Sequence, residues 1–230
     1  MKKLIISLLF ISFLSGCAAV NFSSKYYIPP DNYEQEIAKI WNEIITKVPL
    51  KHKDYYTYRI VKDNQTKPSG IPQSVSKGSS CTILIPEYFI KYVWEFYYPN
   101  YHQEIIGCLF SHELGHPESN YSSATPQQHV LCDEYTIKNL LLPTSTFNTY
   151  YSTLIVVRDY WLARKGVGGH VFNIGWNTLN ITSLIFFGAG QVGDLYATDL
   201  NYRISKLRKS HRSLAPKFIF KRSKHIKEQI

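Results

Sequence analysis

The pentapeptide His112-Glu113-Leu114-Gly115-His116 restricts this 230-residue chain more than any other feature. On an α-helix, residues i and i+4 lie about 40° apart around the axis, so both imidazoles project to one side. Two imidazoles placed so can grip one Zn²⁺. Glu113, about 100° from His112, faces the ion from its own side and can act as general base on water there. The pattern needs a helix with apolar surroundings. Ile105, Ile106, Leu109 and Phe110 supply them on the other faces. Asn100-Tyr101-His102-Gln103 has the form of a capping box, which predicts a helix from Tyr101 to about His116, stopped by Pro117.

A catalytic zinc takes three protein ligands and keeps one position open. The extension of the motif to Gly and a third His fails, because Ser119 and Ser122 occupy those places. The third ligand must then come from elsewhere, and the next segment is the natural source. Thr125-Pro126-Gln127-Gln128 is a second capping box with Pro at the favoured first position, and it opens a helix predicted to run to about Leu142. That helix carries His129, Asp133 and Glu134. His129 and Asp133 share a face. Glu134, about 140° from His129, does not. His129 is the expected third ligand, with Asp133 orienting a metal-bound imidazole. Glu134 is the alternative ligand, and Glu118 and His170 stay open as others.

The remaining elements read coarsely. Ile37, Ile40, Trp41, Ile44 and Ile45 predict an amphipathic helix over 32–48. Residues 55–61 and 81–85 read as strands, 64–80 as a loop, and 87–97 as a helix. Further helices are expected over 150–165 and 172–187, with Gly166 closing the first. The sum is an α+β, mostly helical domain with a small sheet packed on the HExxH helix. Cys108 and Cys132 read as buried core thiols, and His170 follows a glycine cluster without the Lys-Ser/Thr of a phosphate loop.

These residues resemble the gluzincin peptidases. Their second motif is often Glu-x-x-x-Asp on a following helix, and His129-Val-Leu-Cys-Asp133 is similar, with His in place of Glu. The surroundings look like the HtpX-type peptidases and their periplasmic lipoprotein relatives. In those a strand (here Thr82-Ile83-Leu84-Ile85) and a short helix precede the HExxH helix, and a Thr-His-Pro segment followed by Arg-Ile comes later. Here that region is Thr198-Asp199-Leu200 and Arg203-Ile204-Ser205-Lys206-Leu207. The resemblance implies a zincin-like fold, zinc as cofactor and hydrolysis of peptide bonds in protein or peptide substrates. It implies Glu113 as the proton carrier and Arg203 as a donor to the oxyanion. A surface position on a basic helix is the other reading of Arg203. A catalytically silent zincin-fold lipoprotein, serving as an envelope binding or assembly module, is the alternative function.

The N-terminus reads as an address. Lys2-Lys3, an apolar run over 4–14 and Leu14-Ser15-Gly16-Cys17 resemble a bacterial lipoprotein signal, cut before a lipidated cysteine. The expected order is signal peptide over 1–16, lipidated tether over 17–31, metallopeptidase domain over 32–205 and basic tail over 206–230. Ala18 in place of Asp resembles an outer-membrane address, so the expected location is the cell envelope, lipid-anchored and facing the periplasm. Nine Lys or Arg against one Glu put +8 of the chain's +9 between Lys206 and Ile230. That concentration argues against a nucleic-acid groove spread over the domain. Phe218, Ile219 and Phe220 interleave with the cations, which suits either anionic lipid or a solvated terminus.

Overall fold

The computed structural model describes residues 32–62, 72–77, 80–121, 125–165 and 195–222. Cys17, the expected tether, His170 and the helix expected over 172–187 lie outside the described residues. Two compact units divide the chain: Ser24–Arg158 with Asp199–Ile230, and Met1–Ser23 with Asp159–Thr198. The first holds the sheet, the HExxH helix and every side chain discussed below. The second holds the end of one helix and the start of another among its described residues.

The fold is mostly helical with one three-stranded sheet, as the α+β expectation has it. Helix α1 (Tyr33–Lys47) buries Tyr33, Ile37, Ile40, Trp41 and Ile44, a single stripe at helical spacing. Strand β1 (Tyr56–Val61) lies parallel to β3 (Ser80–Pro86), with Tyr56 opposite Cys81 and Val61 opposite Pro86. Strand β2 (Gln73–Lys77) runs antiparallel on the other side of β3, so the order is β1-β3-β2 and β2 is an edge. The sequence reading placed β2 within a loop. Four of its five side chains are polar and its one apolar residue, Val75, is exposed, so only the backbone ladder to β3 makes it a strand. On β3, Cys81, Ile83 and Ile85 alternate into the core with no exposure.

Helix α2 (Glu87–Phe96) follows β3 without a loop and buries Phe89, Ile90, Tyr92, Val93 and Trp94. A 3₁₀ turn at Pro99–Tyr101 leads into α3 (His102–Ser119), the central helix, whose middle is buried on every face. Two details differ from expectation. Gln103 donates to Glu43 of α1 at 2.7 Å instead of closing a capping box. Pro117 does not stop the helix. It falls in the last turn, where it deprives the Glu113 carbonyl of its helical donor, yet the helix runs on to end at Asn120 in the left-handed region (φ 60°). The Ser119 hydroxyl donates back to the Gly115 carbonyl in that turn.

Helix α4 (Pro126–Asn139) starts as predicted: the Thr125 hydroxyl accepts from Gln128 N–H at 3.3 Å, and Pro126 opens the first turn. Helix α5 (Phe147–Lys165) begins with a reciprocal cap between Thr146 and Thr149. Helix α6 (Leu195–Ser210) absorbs the first residues of the expected tail. The following stretch does not hang free either. Phe220 is buried against Tyr97 and Tyr101, with ring centroids 6.3 and 5.2 Å away, and Tyr97 bridges to Arg222. No helix among the described residues is long and apolar enough to cross a membrane.

Candidate metal centre

Three histidines meet where α3 and α4 pack. One ring nitrogen from each of His112, His116 and His129 lies within 4.8 Å of the others, and this group could hold a metal ion. The close approach of the two helices rests on Gly115. A Cβ there would stand 2.9 Å from Cys132 Sγ and inside the space of Thr136 Oγ1, both on α4. No other residue type at 115 lets the turn carrying His129 come this near the pair on α3.

The partners of the rings fix which nitrogen is bare. Tyr150 of α5 spends its single hydroxyl hydrogen on Asp133 Oδ1, at 2.6 Å. Its oxygen, 2.8 Å from His112 Nδ1, can therefore only accept. Asp133 Oδ1 itself lies 3.0 Å from the same nitrogen. His112 thus carries its hydrogen on Nδ1. The Tyr121 carbonyl, 3.0 Å from His116 Nδ1, imposes the same tautomer there. Asp199 Oδ2 stands 2.8 Å from His129 Nδ1, close enough for attraction although off the line of a hydrogen bond. In His112 and His116 Nε2 is left as the ligand atom, and the Asp199 carboxylate beside Nδ1 favours the same choice in His129. Metal-binding histidines are held in this way by carboxylates and carbonyls at their other nitrogen.

Arg203 of α6 lies under this arrangement, 2 % exposed. Its Nε donates to Asp133 Oδ2 at 2.8 Å and its Nη2 to Oδ1 at 2.7 Å, a bidentate pair. Nη2 is nearly equidistant from the two nitrogens of His112, 3.3 and 3.2 Å, which places it over the ring and off either lone pair. Nη1 comes within 3.5 Å of Asp199. Burial alone would raise the Asp133 carboxyl, but the Arg203 charge and the His112 contact overcome it and hold Asp133 well below the ordinary carboxylate range. Burial, then the Arg203 charge, pushes His112 down to about 3 against the pull of Asp133, so the ring is neutral and ready to ligate.

Glu113 has a different hydrogen-bond partner, Ser74. It is 6 % exposed, and burial raises its carboxyl above the ordinary range. The charges of His116 and Arg203 and hydrogen bonds from the backbone and hydroxyl of Ser74 on β2 oppose the rise. The shift is in the direction that makes a carboxylate a better proton acceptor.

The structure brings His112, Glu113, His116, His129, Asp133 and Arg203 together. Glu134 is elsewhere: it accepts from Ser210 Oγ and from His211 Nε2, each at 2.7 Å. Glu118 is buried on Tyr56 and on the Lys51 backbone. Cys108 and Cys132 are free, buried and pushed up to about 12 by burial, and Cys132 Sγ lies against the His112 carbonyl, clear of the ring nitrogens. Two site residues were not legible as such. Asp199 shares an i, i+4 face with the expected Arg203, a usable signal. Tyr150 gave none, because its position follows from how α5 crosses α4.

The donor set is three imidazoles, with His112 buried and His116 and His129 half-buried. Borderline ions such as zinc favour imidazole, and His116 and His129 are the partly exposed members of the set. No protein-family model, curated protein or solved structure matches the chain.

Proposed function

We propose that the chain is a zinc-dependent peptidase tethered to a membrane of the cell envelope through a lipidated Cys17. The observation that carries the reading is the third imidazole: His129 meets the HExxH pair, and a buried acid with a raised carboxyl stands beside them. His112, His116 and His129 would hold the ion. Zinc bound there supplies Lewis acidity, polarising a carbonyl and acidifying water.

The chain's own groups do the rest. Glu113 takes one proton from water as its oxygen bonds to the peptide carbonyl carbon, then delivers that proton to the amine nitrogen as the C–N bond breaks. The products are one carboxylic acid and one amine, and Glu113 returns to its starting state. Asp133 and Tyr150 hold the His112 ring, and Asp199 faces His129. Arg203, expected as an oxyanion donor, serves here as a positioning residue, because Nε and one Nη2 hydrogen are bound to Asp133.

A catalytically silent binding module is the second reading, favoured by the hydrogen bonds Ser74 makes to Glu113. Two measurements decide. Zinc content of metal-replete protein should be near one per chain and should fall sharply in His129→Ala. Glu113→Gln should keep the zinc and lose nearly all cleavage of an unfolded protein substrate. Zinc-free wild-type protein sinks the peptidase reading. Zinc binding without cleavage leaves the binding module in front.

A further inference from the structure

We propose that residues 212–221 form a preordered contact for anionic lipid. Among the described residues five large hydrophobic side chains are exposed, and three of them lie here: Leu214 (51 %), Phe218 (41 %) and Ile219 (36 %). The exposed cation Lys217 lies between them, and the exposed Arg212 and Lys221 flank them. The described part of the chain from Lys206 to Arg222 holds seven Lys or Arg and no acidic residue. This juxtaposition of adjacent apolar side chains and one sign of charge matches a bilayer with anionic headgroups, where apolar groups enter the acyl boundary and cations stay among phosphates.

The backbone is pinned in a way that keeps these side chains outward. Asn148 Oδ1 accepts from Lys217 N–H at 3.0 Å. The Ser152 hydroxyl donates to the Lys217 carbonyl at 3.2 Å and accepts from Ile219 N–H at 3.0 Å. Asn148 and Ser152 are one turn apart on α5, so the strap is fixed to a single helix face. Phe220 turns inward onto Tyr101 and Tyr97, and Phe218 stands edge-on over it at 6.1 Å. A solvated basic terminus has no reason to spend four such anchors on displaying Phe218 and Ile219. The ordering cost of binding is largely met in advance. A nucleic acid would use the cations and Phe218 but not the aliphatic Leu214 and Ile219. The inference is independent of the metal and of peptide cleavage.

The test uses the full chain in vesicles whose acyl chains are brominated, either phosphatidylcholine alone or an equal mixture with phosphatidylglycerol. Phe218→Trp adds an indole at the exposed face, and its signal is the difference from the unsubstituted chain. The added indole should shift to the blue and be quenched in the mixture, and should be neither in phosphatidylcholine. High salt should reverse the effect. Adding Lys217→Gln and Lys221→Gln should lower the inserted fraction about 30-fold, each lost charge being worth about fivefold at an anionic surface. Absence of quenching in the mixture, or equal quenching in both vesicles, overturns the proposal. Cation-dependent binding of single-stranded DNA without quenching also overturns it, in favour of a nucleic-acid surface.

Discussion

Glu118 and Asp133 are both buried acids near the histidine site, one at the end of α3 and one on α4, and their partners differ. Glu118 accepts from the Tyr56 hydroxyl at 2.6 Å and from Lys51 N–H at 3.1 Å, while the Lys51 ammonium reaches the Glu118 backbone carbonyl. These bonds tie the end of α3 to β1 and to the segment before it. Asp133 is clamped by a guanidinium and presents the same oxygen to Tyr150 and His112. The first acid fastens backbone. The second aims a ring. A buried carboxylate by itself therefore says little about function, and the group on its far side decides.

The largest expected effect separates the two by what is left behind. Asp133→Ala strands the Arg203 charge in the core and should cost about 3–5 kcal/mol of stability, read by chemical denaturation. If the variant melts like wild type, the clamp is ornamental and the contrast collapses. Isosteric changes sharpen the point. Asp133→Asn should weaken zinc binding about 10–100-fold, whereas Glu118→Gln should lose about 1–3 kcal/mol of stability and leave zinc affinity within about twofold. Equal losses of zinc in the two variants, by competition with a chelator, would break the comparison.

Acidity offers a third handle. In the metal-free protein His112 titrates far below the 6.5 of an unfolded chain, so below that value the unfolded state holds more protons. Stability is then full above about 6.5 and falls as pH drops toward 3. Asp133 acts in the same direction lower down: its contribution is present above 3.8 and is lost as pH falls through its depressed folded value. Denaturation midpoints in a chelator should decline steadily from neutral pH. A flat profile down to pH 3.8 would mean that the His112 environment is wetter than described. Gly115→Ala should likewise cost about 1–3 kcal/mol, because the added methyl must push Thr136 and Cys132 aside. It should also weaken zinc, since the same push moves His129 away from its partners.

Much of this was legible in the chain, for physical reasons that differ by element. The α1 stripe, the Thr125 cap and the three histidines all lie within local periodicity, so 3.6-residue spacing sufficed. Strand β2 was missed because its side chains carry no pattern and its bonds to β3 are non-local. The helix stop at Pro117 was overridden by one more turn capped by Ser119 and Asn120. Tyr150 was invisible because packing, not spacing, brings α5 to Asp133.

Arg203 and Asp199 sit one turn apart on α6, nearly a hundred residues after the first histidine. A chain still being made would present all three ligands long before the helix that holds two of them in place. Metal captured at that stage would be loosely held and open to exchange. Tight retention would begin only when α6 docks, so the metal centre would report on completion of the fold and not on the emergence of its own motif.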